Sequence, residues 1–218
     1  VVVVRRGQSE LVSTIIHIGL ALVIGIAMLS YFTSVVAGYR ESILLSSHLA
    51  SEASNVLVST ISFDNRSSTL WLLLKRVDGS RGSFFIAVED GLQYLPCSSI
   101  SFYNPYSDED GVLCNSLNDC PGSSRMYEGS MDGVYIPWEG SVSSFRQYAK
   151  SMGYTIANPV RICTVENICR YSPAPGLCTE STIVRVKLSR EASRVRTLIV
   201  APYGGRPYVV GVYEVTLR

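Results

Sequence analysis

The stretch 5–32, RRGQSELVSTIIHIGLALVIGIAMLSYF, decides how the rest of the chain is read. Two arginines and a glycine precede a long uncharged run, and Glu10 stands at its mouth. From Leu11 to Tyr39 there is no Asp, Glu, Lys or Arg. At about 1.5 Å per residue this run makes a helix of about 43 Å, and a bilayer core of about 30 Å needs about 20 apolar residues. It is long enough to span, and too long for the apolar core of a cleaved secretory peptide. Arg5 and Arg6 would stay on the inner side and the remainder would pass outward.

The helical pattern continues past the uncharged run. In 40–61, RESILLSSHLASEASNVLVSTI, the residues Leu45, Leu49, Ala53, Val56 and Leu57 recur at helical spacing and predict one apolar face. The first stop signal is Ser62-Phe63-Asp64-Asn65, so one helix of about 50 residues, some 75 Å, is expected. Small residues recur within it at four-residue spacing, Ala21 and Gly25, then Ser30, Ser34 and Gly38. They are read as one face that lets other helices approach closely, although such residues are also common in any membrane helix.

Beyond residue 62 the texture changes to short apolar runs separated by turn residues. LWLLLKRV and SFFIAV flank Asp78-Gly79-Ser80-Arg81-Gly82 and predict a hairpin. STIVRVKL alternates, with Val184, Val186 and Leu188 on one face and Arg185 and Lys187 on the other. RVRTLIVAP and YVVGVYEVTL follow at hairpin distance, VYIPW and LQYLPCSSISFY are weaker strands, and SVSSFRQYAKSMG predicts a short helix. The expected class is α+β, a long hydrophobic helix carrying an antiparallel sandwich or barrel. The expected divisions are 1–7 as a leader remnant, 8–62 as the helix and 63–218 as an exterior β domain.

All six cysteines, Cys97, Cys114, Cys120, Cys163, Cys169 and Cys178, follow the hydrophobic run. An even number on one side of a membrane segment fits an oxidising exterior. Fifteen pairings are possible; the two five-residue spacings suggest Cys114–Cys120 and Cys163–Cys169, leaving Cys97 with Cys178. Zinc is the rival, but there is no C-x-x-C, and the only histidines, His17 and His48, lie in the N-terminal segment. The stretches Asn104 to Gly133 and Asn158 to Cys178 show little strand pattern and are expected as surface excursions pinned by disulfides.

Other chemistry is sparse. The histidines lie far along the chain from the strand-rich region, so no base for hydrolysis is evident and no enzymatic activity is expected. Asp108-Glu109-Asp110-Gly111 lacks the next oxygen ligand of a calcium loop, since position 112 is Val112. No cofactor or metal is expected. The net charge of +1, with scattered basic residues, gives no nucleic-acid footprint. Asn65-Arg66-Ser67 is the one N-x-S/T sequon and a candidate glycosylation site at Asn65.

The segment RRG-QSELVSTIIHIGLALVIGIA resembles the processing junction and assembly helix of archaeal type IV pilin-like proteins, a group that includes adhesive pilins and archaellum flagellins. The resemblance covers residues 5–61. It implies a cut by a prepilin peptidase between Gly7 and Gln8, after which the helix waits in the membrane and then packs into the core of a homopolymeric filament. A cytoplasmic ATPase and a membrane platform would drive assembly. It further implies immunoglobulin-like β domains facing outward, in a lollipop-shaped subunit of a cell-surface filament. Glu10 would lie near the new amino terminus of a neighbouring subunit, or simply favour the helix N-terminus through its dipole. Bacterial relatives carry the glutamate fifth after the cut; here it is third. The chain also starts Val-Val-Val-Val, so either Val1 is the mature terminus or a start codon is written as Val. Adhesive pilus, archaellum and membrane-anchored ligand-binding protein stand as the alternatives.

Overall fold

The structure is a computed structural model that describes residues 6–106, 112–114, 126–127, 133–153 and 160–217, with side chains from residue 12 onward and without those of 112–114 and 126–127. Its elements in chain order are α1 (Arg6–Asn55), β1 (Val56–Asp64), β2 (Thr69–Arg76), β3 (Phe84–Glu89), β4 (Ile100–Asn104), β5 (Val112–Cys114), β6 (Met126–Tyr127), β7 (Gly133–Ile136), β8 (Ser141–Ser143), α2 (Phe145–Ser151), β9 (Ile162–Val165), β10 (Thr182–Lys187), β11 (Arg194–Tyr203) and β12 (Arg206–Thr216). This is α+β, a long apolar helix followed by two sheets. The chain divides into two compact units, the first ending at Leu45 and the second beginning at Ser46.

The helix ends earlier than the apolar spacing predicts. Val56 to Ile61, Leu57 among them, belong to β1. The residues there, Val56, Val58, Thr60 and Ile61, are β-branched and favour a pleated strand, and their period of two competes with the helical reading. The last carbonyl is not left open: Asn55 O accepts the Val77 N–H at 2.8 Å.

The first sheet runs β1-β2-β10-β4-β5, antiparallel throughout. Its buried face is built in cross-strand rows. Leu70 stands opposite Val186, which stands opposite Ile100; Leu72 stands opposite Val184, and Val184 opposite Phe102. All six are essentially inaccessible. The alternation of β10 is thus expressed as expected, with Val184, Val186 and Leu188 inside.

The second sheet runs β6-β9-β3-β11-β12-β7-β8 and is antiparallel except for the parallel pair β12–β7. β11 and β12 form the expected hairpin. Tyr203 pairs with Arg206 across Gly204-Gly205, whose φ values of +57° and +78° suit the tight turn that matches strand twist. On β3, Phe84, Ile86 and Val88 are buried on one side, and Ala87 is buried on the other among Val134, Phe145, Val160, Leu198 and Val209. A strand covered on both faces reads as a continuous apolar run. The short helix α2, capped by Ser144 accepting from Gln147 N–H at 3.2 Å, supplies Phe145 to that second layer.

Three expectations are corrected. β2 and β3 do not form a hairpin, because both edges of β2 are already taken by β1 and β10, and β3 enters the other sheet. The intervening loop is tied instead to 167–178: Asn167 Nδ2 donates to Ser80 O (3.1 Å) and Cys178 N–H to Gly79 O (2.8 Å). The stretch 158–178 is not all surface excursion, since Ile162–Val165 is a buried strand pairing β3. The disulfides are Cys97–Cys163 and Cys169–Cys178, with Cα–Cα distances of 5.4 and 5.7 Å. The spacing argument fails because Cys163 is fixed by its strand beside Cys97, which precedes β4. Cys120 lies outside the described residues, and Cys114 is described by its β5 backbone pairing alone.

The first disulfide joins the turn just before β4 of the first sheet to β9 of the second. A second link crosses between them, where Thr60 N–H donates to the Tyr213 hydroxyl oxygen at 3.0 Å, beside the bulge at Ile61. Proteolytic mapping without reductant is expected to return peptides joined through Cys97–Cys163 and Cys169–Cys178; a peptide joining Cys163 to Cys169 would overturn this topology.

Candidate assembly surface

Within the first unit, α1 is apolar all round. Val12, Ile15, Ile16, Ile18, Leu20, Leu22, Val23, Ile24, Ile26, Met28, Leu29 and Phe32 are each between 47% and 69% exposed. A helix of this kind has no polar side to turn toward water and needs an apolar surround. Two of its polar side chains turn back onto the helix backbone. Thr33 Oγ1 donates to Leu29 O at 2.7 Å, and His17 Nδ1 lies 2.7 Å from Ser13 O, which the Nδ1-protonated tautomer donates to. Such internal bonding lets polar side chains sit in hydrocarbon. Among the described residues this is the one helix long and apolar enough to cross a membrane.

The small residues do not form the single stripe expected. In one uninterrupted helix each residue turns by about 100°, so Gly25 and Ser30 differ by about 140°. Ala21 and Gly25 therefore share one face, while Ser30, Ser34 and Gly38 lie on roughly the opposite one. A Cβ placed on Gly25 or Gly38 meets nothing within 4 Å. Nothing within the described chain requires glycine there, so any requirement comes from what surrounds the helix.

The last helical turns belong to the second unit and are held by polar contacts. Glu52 is bound by Arg76 at the end of β2 through two bonds, Nη1 to Oε2 at 3.1 Å and Nη2 to Oε1 at 2.9 Å. Asp78 accepts from Nε at 3.1 Å and from Nη2 at 2.9 Å. Arg76 is buried, while Glu52 and Asp78 keep partial access to solvent. The guanidinium holds the Asp78 carboxyl below its ordinary value, and the two carboxylates raise Arg76 in turn. Leu49 is fully buried, and the His48 ring lies 5.1 Å from that of Tyr203. His48 is thus in contact with the β domain, contrary to its expected distance from it.

Of the residues singled out in the sequence, Gly7, Gln8 and Glu10 fall in the first turns of α1, of which the backbone is described. Leu45 is half-buried, Leu49 is core, and Leu57 is half-exposed on β1. Asn65 is exposed at the tip of the β1–β2 hairpin, where Asp64 accepts from Arg66 N–H and the Ser67 hydroxyl. Residues 108–111 lie outside the described residues. Among the described residues no group of three or more His, Cys, Asp and Glu is disposed to hold a metal. The Glu52–Arg76–Asp78 cluster has no sequence motif: only the Arg-x-Asp spacing is local, and Glu52 lies 24 residues from Arg76.

Comparison with protein-family models, with curated proteins and with solved structures finds no match for this chain.

Arg76→Ala leaves two carboxylates facing each other beside a buried gap, and is expected to destabilise the β domain by about 3 kcal/mol in urea melts. Stability from Asp78, whose carboxyl is depressed, is present above its ordinary value of 3.8 and is lost as pH falls through the lower folded value. Arg76→Ala should therefore flatten the acid limb of the melting profile, and an unchanged acid limb would deny the cluster its role.

Proposed function

We propose that the protein is a structural subunit of an extracellular filament of the archaeal type IV pilin-like kind, polymerising through α1. The observation that carries this reading is the all-round apolar surface of residues 12–39, attached to a β domain with a core of its own. Association of such helices removes their apolar faces from any aqueous surround and packs them closely where small residues permit. Before assembly the helix would rest in the cytoplasmic membrane, with the β domain outside in an oxidising compartment that suits its disulfides. The finer fold reading, an immunoglobulin-like sandwich, belongs to the same proposal and draws on the two mainly antiparallel sheets joined by Cys97–Cys163.

The function is assembly without turnover. A prepilin peptidase would act between Gly7 and Gln8, an ATPase and a membrane platform would extract subunits, and the partner of each subunit is another copy of the chain. Glu10 would meet a neighbour's amino terminus in the filament core. The β domain would form an adhesive outer surface, with a glycan on the exposed Asn65. A membrane-anchored monomer that binds a small ligand is the second reading; it draws on a cleft of about 250 Å³ between α2 and the second sheet, lined by Tyr148, Met152, Leu198 and Val212.

Shearing native cells, pelleting the high-mass fraction and imaging it is expected to show filaments containing this chain. Gly25→Arg puts a charge at the centre of the apolar run at a cost of about 3 kcal/mol in hydrocarbon and should abolish filaments while the β domain still folds. Deletion of 11–30 should do the same. Normal filaments from either variant would refute assembly through α1, and a chain that stays monomeric in the membrane would favour the second reading.

A further inference from the structure

The first sheet buries Leu70, Leu72, Val184 and Val186, so the alternate residues of the same strands face outward. Two rows stand on that outer face. In one, Leu73 of β2 is opposite Ile183 of β10, and the register of β10 with β4 continues the row to Tyr103. In the other, Trp71 is opposite Arg185, and Arg185 is opposite Ser101. Trp71, Tyr103 and Ile183 are half-buried, and Ile61, at the β1 bulge, is half-exposed. With Ser62 these four side chains line a shallow groove of about 370 Å³. Positive charge flanks it. Lys75, Arg185 and Lys187 fall on the outer face by strand alternation. Arg185 Nε donates to Ser101 Oγ at 3.2 Å, and none of the three cations pairs with a carboxylate among the described residues. Asp64, the one acidic residue of β1, β2, β4 and β10, is engaged by the Arg66 N–H and the Ser67 hydroxyl of its own hairpin.

The feature that matches this groove lies on the edge of the second sheet. β7 and β8 are joined by Pro137-Trp138-Glu139-Gly140. Ile136 O accepts from Glu139 N–H at 3.1 Å and from Gly140 N–H at 3.0 Å, and Gly140 at φ +61° completes the tight turn. Trp138 projects from it at 80% exposure, the most exposed large apolar side chain among the described residues. Beside it Glu139 is exposed, with the Ser141 hydroxyl donating to Oε2 at 3.1 Å. Tryptophan is among the residues that most often anchor protein interfaces. A closed turn that already presents its indole has little order left to gain on docking.

We propose that the occupant of the groove is a second copy of this chain, whose Trp138 seats among Ile61, Trp71, Tyr103 and Ile183 while its Glu139 faces the unpaired cations alongside. The inference rests on the filament reading and deepens it, since it adds a contact between β domains to the packing of α1. Shape and charge both agree. An apolar knob carrying one carboxylate meets an apolar groove flanked by cations and free of competing carboxylates. Knob and groove are different patches of one chain, so each copy offers its knob to one neighbour and its groove to another. A contact of this heterologous kind repeats into an open helical polymer wherever its rotation does not close a ring.

The chain has two tryptophans, Trp71 in the groove and Trp138 on the turn. Trp71→Phe keeps the groove apolar and leaves Trp138 as the sole indole. The test measures acrylamide quenching of its fluorescence in sheared filaments of the full chain, and in the same chain dispersed as monomers in non-ionic micelles. Trp138 is expected to be about fivefold less quenched in the filaments, as befits a desolvated anchor. Ile183→Glu, added at a half-buried outward position, sets a carboxylate against both the indole face and Glu139. Filaments of that variant, still held by α1, should show Trp138 quenched as in the monomer. Ile61→Asp, at the half-exposed bulge, carries the test if Ile183→Glu fails to fold. Loss of filaments in a folded Ile61→Asp chain would be the same result in stronger form. Equal quenching in filaments and monomers would overturn the proposal and leave the groove to a different partner. Full protection of Trp138 in the filaments of either groove variant would also overturn it, because another surface would then cover the indole. Filaments with an exposed Trp138 sink this contact alone and leave assembly through α1 standing, whereas a wild-type chain that forms no filaments sinks both.

Discussion

The charged contact between the end of α1 and the β domain centres on the Arg76 guanidinium. A chain that leaves an apolar helix must begin a water-exposed fold within a few residues. Hydrophobic contact alone is a poor choice at that junction, because it does not distinguish the helix end from the apolar stretch before it. Arg76 does distinguish it. Its planar fork donates to two carboxylates in fixed directions, one from the last helical turns and one from the loop after β2. Removing the guanidinium leaves like charges together, whereas removing one carboxylate still leaves a pair. The site is thus asymmetric in its sensitivity.

The two halves of the chain solve opposite problems with the same residue classes. In residues 12–39 valine, isoleucine and leucine occupy every side, and Thr33 and His17 turn back onto backbone carbonyls. In the β domain the same residues are confined to faces. The first sheet alternates inside and outside, as in Leu70, Leu72 and Leu74, while β3 is apolar on both sides because α2 covers what would otherwise be its wet face.

Legibility in the sequence followed the range of the interactions. The apolar run, the alternation of β10, the β11–β12 hairpin and the capped α2 rest on neighbours a few residues apart, and each can be read directly. The helix end was misplaced because Leu57 satisfies two periodicities, and the choice between them is made by pairing with Lys75 across β2. The β2–β3 hairpin and the disulfides were misread for one reason: short spacing was taken as contact. β2 is claimed by β10, more than 100 residues later in the sequence, and Cys163 by Cys97 across 66 residues. The Glu52–Arg76 pair leaves no local trace, since it joins residues that only the folded topology brings together.

The Cys97–Cys163 bond has a mechanical meaning. A chain pulled from its two ends can lengthen only by residues that lie outside closed covalent loops. This bond encloses a 66-residue separation, which at about 3.4 Å per extended residue is roughly 220 Å of chain that tension cannot release. With its strands lost under load, the oxidised domain still ends shorter by that length than the reduced one. Reduction of that single bond would release the enclosed chain, so its redox state sets how far the unfolded domain can stretch.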